Sequence, residues 1–175
     1  PSAVLFILAD LLPFAWSSAA AAYLAFAAAL VHALRLSGWR TLKTFRSPLV
    51  WVLHLGYAGL IAGMTLKGLS NLGLLPSSMA LHAFTVATLG PVTLGMMARI
   101  GLGHTGRTIA VPGRMALAFA LVLVAGIVRV AAPLLPLAYD IPVLLSGLAW
   151  TIAFAIFTFG YLPILTSPRV DGQPG

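Results

Sequence analysis

Cysteine is absent from the 175 residues. That excludes a disulfide framework, a thiolate zinc site, a cysteine-held iron–sulfur cluster and thioether-attached haem, and leaves only His, Met or carboxylate to hold any metal. Acidic side chains are nearly absent too. Asp10, Asp140 and Asp171 are the whole set, and they lie too far apart in sequence to suggest a carboxylate pair. No Ser/His/Asp or Cys/His constellation is present, so hydrolytic chemistry is not indicated. The first residues carry no basic n-region and no small-residue cleavage site, and the chain opens on Pro1. It therefore reads as starting inside a larger protein.

Charge of either sign is scarce, at 7% of residues against 61% hydrophobic, and the mean hydropathy is +1.04. A soluble domain is about a quarter charged, so water is not the main solvent of this chain. Apolar stretches of about 20 residues, the length that crosses a hydrocarbon core of about 30 Å, recur along nearly all of it. The formal charge of +7 could point to nucleic acid, but the basic residues fall at helix ends and in connections rather than on one face. They are better explained as setting orientation in a membrane, and no nucleic-acid partner is expected.

The punctuation divides the chain into an all-α, polytopic transmembrane bundle of about five spanning helices. Residues 3 to 12 are apolar but too short to cross, and read as a helix stump that ends at Pro13. Spans are expected at about 17–36, 48–66, 76–99, 112–132 and 142–165. Ser47-Pro48 supplies an N-cap and a proline at the first helical position. Residues 1–175 form one domain in this reading, with 166–175 a flexible polar tail. Arg35, Arg40, Lys43 and Arg46, then Arg99, Arg107 and Arg114, and finally Arg169 fall on one side. Lys67 and Arg129 fall on the other. The positive-inside rule then predicts a cytoplasmic C-terminus, with the 67–76 and 131–141 connections facing out.

Polar side chains at membrane depth are costly, which makes them the first candidates for function. His54 and His82 each lie six residues after a helix-opening proline, roughly 9 Å inside at 1.5 Å per residue. Their helices are antiparallel, so the two imidazoles enter from opposite surfaces and differ in depth by roughly 12 Å. They are not expected to share one iron. At helical spacing His82, Thr85, Leu89, Thr93 and Met96 form one stripe, and His54, Tyr57, Ile61 and Thr65 another, both expected to face the interior. The same groups would also serve as helix-to-helix hydrogen bonds.

On the inner side His32, His54, Met96, Met97 and His104 gather at comparable depth. Thioether with imidazole suits cuprous copper, and imidazole alone suits haem iron. On the outer side Arg129 offers either a snorkelling guanidinium or an anion clamp, for example on a haem propionate near His82. Gly103-His104-Thr105-Gly106-Arg107 is no phosphate loop, since no strand precedes it and no Gly-Lys-Ser/Thr follows. Gly59 and Gly63 have the small-xxx-small spacing of closely packed helices.

Three longer stretches carry a resemblance: Pro48-Leu49-Val50-Trp51-Val52-Leu53-His54-Leu55-Gly56-Tyr57, Leu81-His82-Ala83-Phe84-Thr85-Val86, and Met96-Met97-Ala98-Arg99-Ile100-Gly101-Leu102-Gly103-His104-Thr105-Gly106-Arg107. With Gly38-Trp39-Arg40 and Arg129-Val130-Ala131-Ala132-Pro133, their order and spacing resemble the NnrS family from about residue 30 to 165. The His-Thr-Gly-Arg loop after Met-Met-x-Arg is the most specific piece.

The resemblance implies the C-terminal half of a bacterial inner-membrane protein of about twelve helices. It implies haem and copper as cofactors, and a link to nitric oxide metabolism or relief of nitrosative stress. Carried over by motif, His54, His82, His104 and Arg107 are the favoured positions, with Arg99 and Arg129 behind them. A site shared with the N-terminal half would be incomplete here. The competing readings are a secondary transporter, for which acidic coupling residues are nearly lacking, and a non-catalytic assembly subunit whose polar stripes join helices. No enzymatic activity is assigned.

Overall fold

A computed structural model describes residues 4, 7, 18–40 and 43–173. Apart from Val4 and Ile7, the apolar run at 3–12 lies outside the described residues, as does Asp10. Five helices follow: α1 (Ser18–Ser37), α2 (Pro48–Asn71), α3 (Ser77–His104), α4 (Gly113–Ala131, continued by a 3₁₀ turn Ala132–Leu134) and α5 (Asp140–Leu165). All five are long and apolar enough to cross a membrane. Their outward surfaces are formed by apolar side chains such as Leu117, Ile127, Leu144, Ile152 and Phe159, about half or more exposed. In water such a surface would aggregate, whereas in lipid it is the expected exterior.

Two expected boundaries move outward. The second span continues past Lys67 and Gly68 to Asn71, and the third past Gly101 and Gly103 to His104. Glycine is tolerated there because packing requires it. An added Cβ at Gly68 would lie 2.5 Å from the Phe26 ring, and one at Gly101 3.1 Å from the Tyr161 ring. His104 consequently ends a helix instead of sitting in a glycine loop. Ser47 does hold extended N-cap backbone before Pro48, but its side chain makes no cap hydrogen bond.

Helix α3 carries an unforeseen feature, a π-helical stretch at Ala83–Leu89. Pro91 has no N–H to donate, and its ring would crowd the carbonyl four residues back, so a wider turn relieves the strain. The Thr88 hydroxyl uses the extra room to donate to the Ala83 carbonyl at 2.8 Å. Small residues hold this stretch against its neighbours. An added Cβ would stand 2.5 Å from the Ala87 carbonyl oxygen at Gly59, and 2.6 Å from the Ala87 Cα at Gly126.

The main core joins α2, α3, α4 and α5 through Val52, Leu94, Met115, Phe119, Val122 and Tyr161. A smaller cluster of Ala28, Ala29 and Met64 fixes α1 to α2. The Ser146 hydroxyl donates across helices to the Ala125 carbonyl at 2.8 Å, in the manner of small polar residues that join helices in lipid.

Packing also fixes the register of the α2–α3 hairpin. Gly95 faces Val52 and Leu53, Gly56 faces Pro91 and Val92, Gly59 faces Ala87, and Gly63 faces Phe84. His54 is therefore level with the Leu94 region. His82 lies level with Thr65, roughly 15 Å away along the axis. The 38–47 and 72–76 connections sit at opposite ends of the bundle, as the loop charges require.

Candidate functional site

The site is built where the α1–α2 connection folds back on the bundle. Arg40 takes a left-handed φ of 52°, and the Trp39 N–H donates to the Leu36 carbonyl at 3.0 Å. This tight turn returns the indole onto α2, where its ring centre lies 4.6 Å from that of Tyr57 and 5.3 Å from that of His54. The Arg35 guanidinium stands 5.9 Å from the Trp39 ring centre, within cation–π range. On the far side of Tyr57, its hydroxyl and the His32 Nδ1 are hydrogen-bonded at 2.5 Å. Two imidazoles, a phenol and an indole thus form one contiguous set.

Of this set Trp39, His54 and Tyr57 wall a largely apolar cavity of about 380 Å³, to which Met96 and Arg99 of α3 contribute the opposite side. The His54 Nδ1 is fully buried and has no hydrogen-bond partner. A buried imidazole nitrogen left without a partner forfeits roughly 1–3 kcal/mol.

A second cavity of about 310 Å³ adjoins the first and shares Met96 and Arg99 with it. Its other walls include Ile100, Ile109, His104 and Arg169. Arg169 belongs to the 166–175 segment, expected as a flexible tail. The described part of that segment folds back onto the end of α3. The Val170 N–H donates to the Thr105 carbonyl at 3.2 Å, and Arg169 donates to the His104 carbonyl at 3.0 Å. Arg169 also pairs with Asp171 through two hydrogen bonds of 2.9 and 2.6 Å. Gly106 makes room for this carboxylate: its φ is 71°, and an added Cβ would stand 2.6 Å from the Asp171 carboxyl carbon.

The Arg169 guanidinium holds the Asp171 carboxyl down at about 2, below its ordinary 3.8. A depressed carboxylate supports the docked tail above its unfolded pKa and loses that support as pH falls through the folded value. Docking is expected to be unchanged from pH 7 to about 4 and to be lost between about 4 and about 2. Since the chain has no cysteine, a spin label on Gln173→Cys reports this directly. Asp171→Asn should mobilise the label at every pH, and a label already mobile in the wild type at pH 7 would contradict the docking.

The structure brings His54, Tyr57, Met96 and Arg99 to one cavity and His104 to the next. It leaves the other expected residues elsewhere. His82 lies near the opposite end, where Arg129 is close enough to act on it electrostatically. The Arg129 guanidinium rests over the Tyr139 ring at 5.8 Å and donates to its hydroxyl at 3.5 Å. Arg107 turns towards α5 and donates to the Ile164 carbonyl at 3.5 Å, where a cation complements the end of a helix dipole.

The stripe through His82 needs correction. Thr85, Leu89, Thr93 and Met96 are exposed instead of facing the packed interior, and Thr85 spends its hydroxyl on the Leu81 carbonyl at 2.8 Å. The four still share a face, so the spacing holds and its direction is what differs: the packed side of α3 carries Ala83, Thr88, Leu94 and Ala98 instead. Sequence reasoning used Arg35 and Arg169 only for orientation and Trp39 only in the resemblance, and placed none of them at the site. The i, i+4 spacing of Arg35 and Trp39 was a usable signal, while nothing in the sequence placed Arg169.

The fold and site define a polytopic α-helical membrane protein with an imidazole-lined cavity between its second and third helices. Residues 1–169 match the family model described as NnrS protein, and the chain belongs to the NnrS family. No curated protein and no solved structure gives a match.

Proposed function

We propose that this chain is the cofactor-holding part of an NnrS-type protein of the bacterial inner membrane, with His54 as a haem ligand and a role in nitric oxide metabolism or nitrosative stress. The observation that carries the reading is the partnerless, buried Nδ1 of His54 beside an apolar cavity. Family membership supports it. The donor set fits haem in kind: a neutral imidazole for iron, apolar and aromatic walls for a flat macrocycle, and an arginine at the rim. Bound there, haem would supply an iron able to take a small neutral diatomic such as nitric oxide.

The chain's own residues do the rest. Trp39 packs against the His54 imidazole and Tyr57 against Trp39, and the His32–Tyr57 hydrogen bond holds the phenol in place. Copper fits less well. Among the described residues no three His, Cys, Asp or Glu side chains come together. A copper site would have to draw on the Met96 thioether with His54 or His104, completed from outside these residues. The basic connection at 38–47 and the docked tail would face the cytoplasm, and an N-terminal half of the protein would cover exposed faces of the bundle.

The test is an absorption spectrum and metal analysis of the purified full-length protein. A Soret band with near-stoichiometric haem is the expected result. A well-folded preparation with neither haem nor metal would refute the proposal and leave transport or assembly.

A further inference from the structure

The two cavities differ in chemistry. They share Met96 and Arg99, and the first is apolar with an imidazole in its wall. The second places the guanidiniums of Arg99 and Arg169 and the imidazole of His104 around a space at the end of α3. A ligand filling both must have an apolar body and an anionic arm. Two guanidiniums from separate elements suit carboxylate, which each can bind in the paired geometry that Arg169 already shows towards Asp171.

Asp171 already pairs with one of these two guanidiniums, that of Arg169. Its carboxylate reaches Arg169 only because Gly106 has no side chain. The segment bearing it is otherwise held by two hydrogen bonds to the α3 end, from Val170 and Arg169. An incoming carboxylate can take its place on Arg169 without disturbing the membrane-embedded packing.

We infer that Arg99 and Arg169 bind the carboxylate arms of the ligand whose body lies against His54, and that Asp171 holds Arg169 in position until such an arm displaces it. This rests on the haem reading above, and extends it to the residues that select the free acid form and to a tail that responds to occupancy. In that role Arg99 and Arg169 are binding residues, and Asp171 is a competing internal anion.

The experiment compares haem with its dimethyl ester, which has the same macrocycle and iron but no carboxylates. Both are titrated into the full-length, haem-depleted protein in detergent and followed by the Soret shift. Arg99→Gln with Arg169→Gln is expected to weaken haem binding roughly ten- to a hundredfold, the range for losing charge-assisted hydrogen bonds, and to leave the ester unchanged. A spin label on Gln173→Cys in the otherwise wild-type protein is expected to gain mobility when haem is added and to stay docked with the ester. Arg99→Lys with Arg169→Lys, which keeps charge but not the fork, guards against a folding defect and should fall between the extremes. Equal affinity for acid and ester in the wild type, or equal losses for both in the glutamine variant, would overturn the inference while leaving haem at His54 standing. A wild type that binds neither compound would end both.

Discussion

Replacing His54 with alanine is expected to abolish the Soret absorbance of the purified full-length protein, while His82→Ala leaves it in place. The asymmetry follows from position. His54 sits in the wall of a cavity lined by Trp39, Tyr57 and Met96, and its buried Nδ1 has no hydrogen-bond partner. His82 lies roughly 15 Å further along the bundle axis, partly exposed and within electrostatic reach of Arg129 at the other end. No single macrocycle lying against His54 can reach it at that separation. Loss of a direct ligand should exceed the roughly 10- to 100-fold effect of an outer-shell change. Tyr57→Phe, which keeps the ring and deletes only the hydroxyl bonded to His32, should fall within that smaller range. Haem content per protein, measured with circular dichroism to confirm folding, checks all three variants. Equal losses from His54→Ala and His82→Ala would contradict the separation, and a loss confined to His82→Ala would move the site to the other end.

How much of this was legible in the sequence depends on which physical signal each residue obeys. The spans were legible because lipid imposes a length and a polarity that few other environments do. Their ends were less so. Lys67, Gly68, Gly101 and Gly103 read as breakers by the rules of soluble helices, yet in the bundle Gly68 and Gly101 are contact points for Phe26 and Tyr161. The opposite entry of His54 and His82 was legible from two prolines and antiparallel geometry. The facing of the His82 stripe was not, because a period groups residues on one face without saying whether that face meets protein or lipid, and here it is the side with Ala83, Leu94 and Ala98 that packs inward. Trp39 and Arg169 escaped for a related reason: both reach the site from segments outside the spans, where hydropathy and period say nothing about direction.

The π stretch also sets the second large expected effect, a loss of stability on adding one methyl group at Gly126. Ala87 is wedged between α2 and α4 by two glycines, and an added Cβ at Gly126 would stand 2.6 Å from its Cα and 2.9 Å from its Cβ. Backbone cannot step aside as a flexible side chain can, so Gly126→Ala forces α3 and α4 apart. Such overpacking costs about 1–3 kcal/mol. The intrinsic helix preference of alanine over glycine, about 0.5–1 kcal/mol, offsets only part of this. Gly147→Ala in α5 isolates that smaller term, since nothing lies within 4 Å of its added Cβ. It should be neutral or slightly stabilising. Thermal midpoints of the two variants in the same detergent decide the sign, and a Gly126→Ala protein as stable as the Gly147→Ala control would show that Ala87 is not wedged. The consequence reaches the site, because the strand of contacts that fixes Ala87 also sets the height of Met96 and Arg99 one helix segment later. Gly126→Ala should therefore weaken ligand binding at the His54 cavity through displaced walls, with no change in the preference between the acid and ester forms.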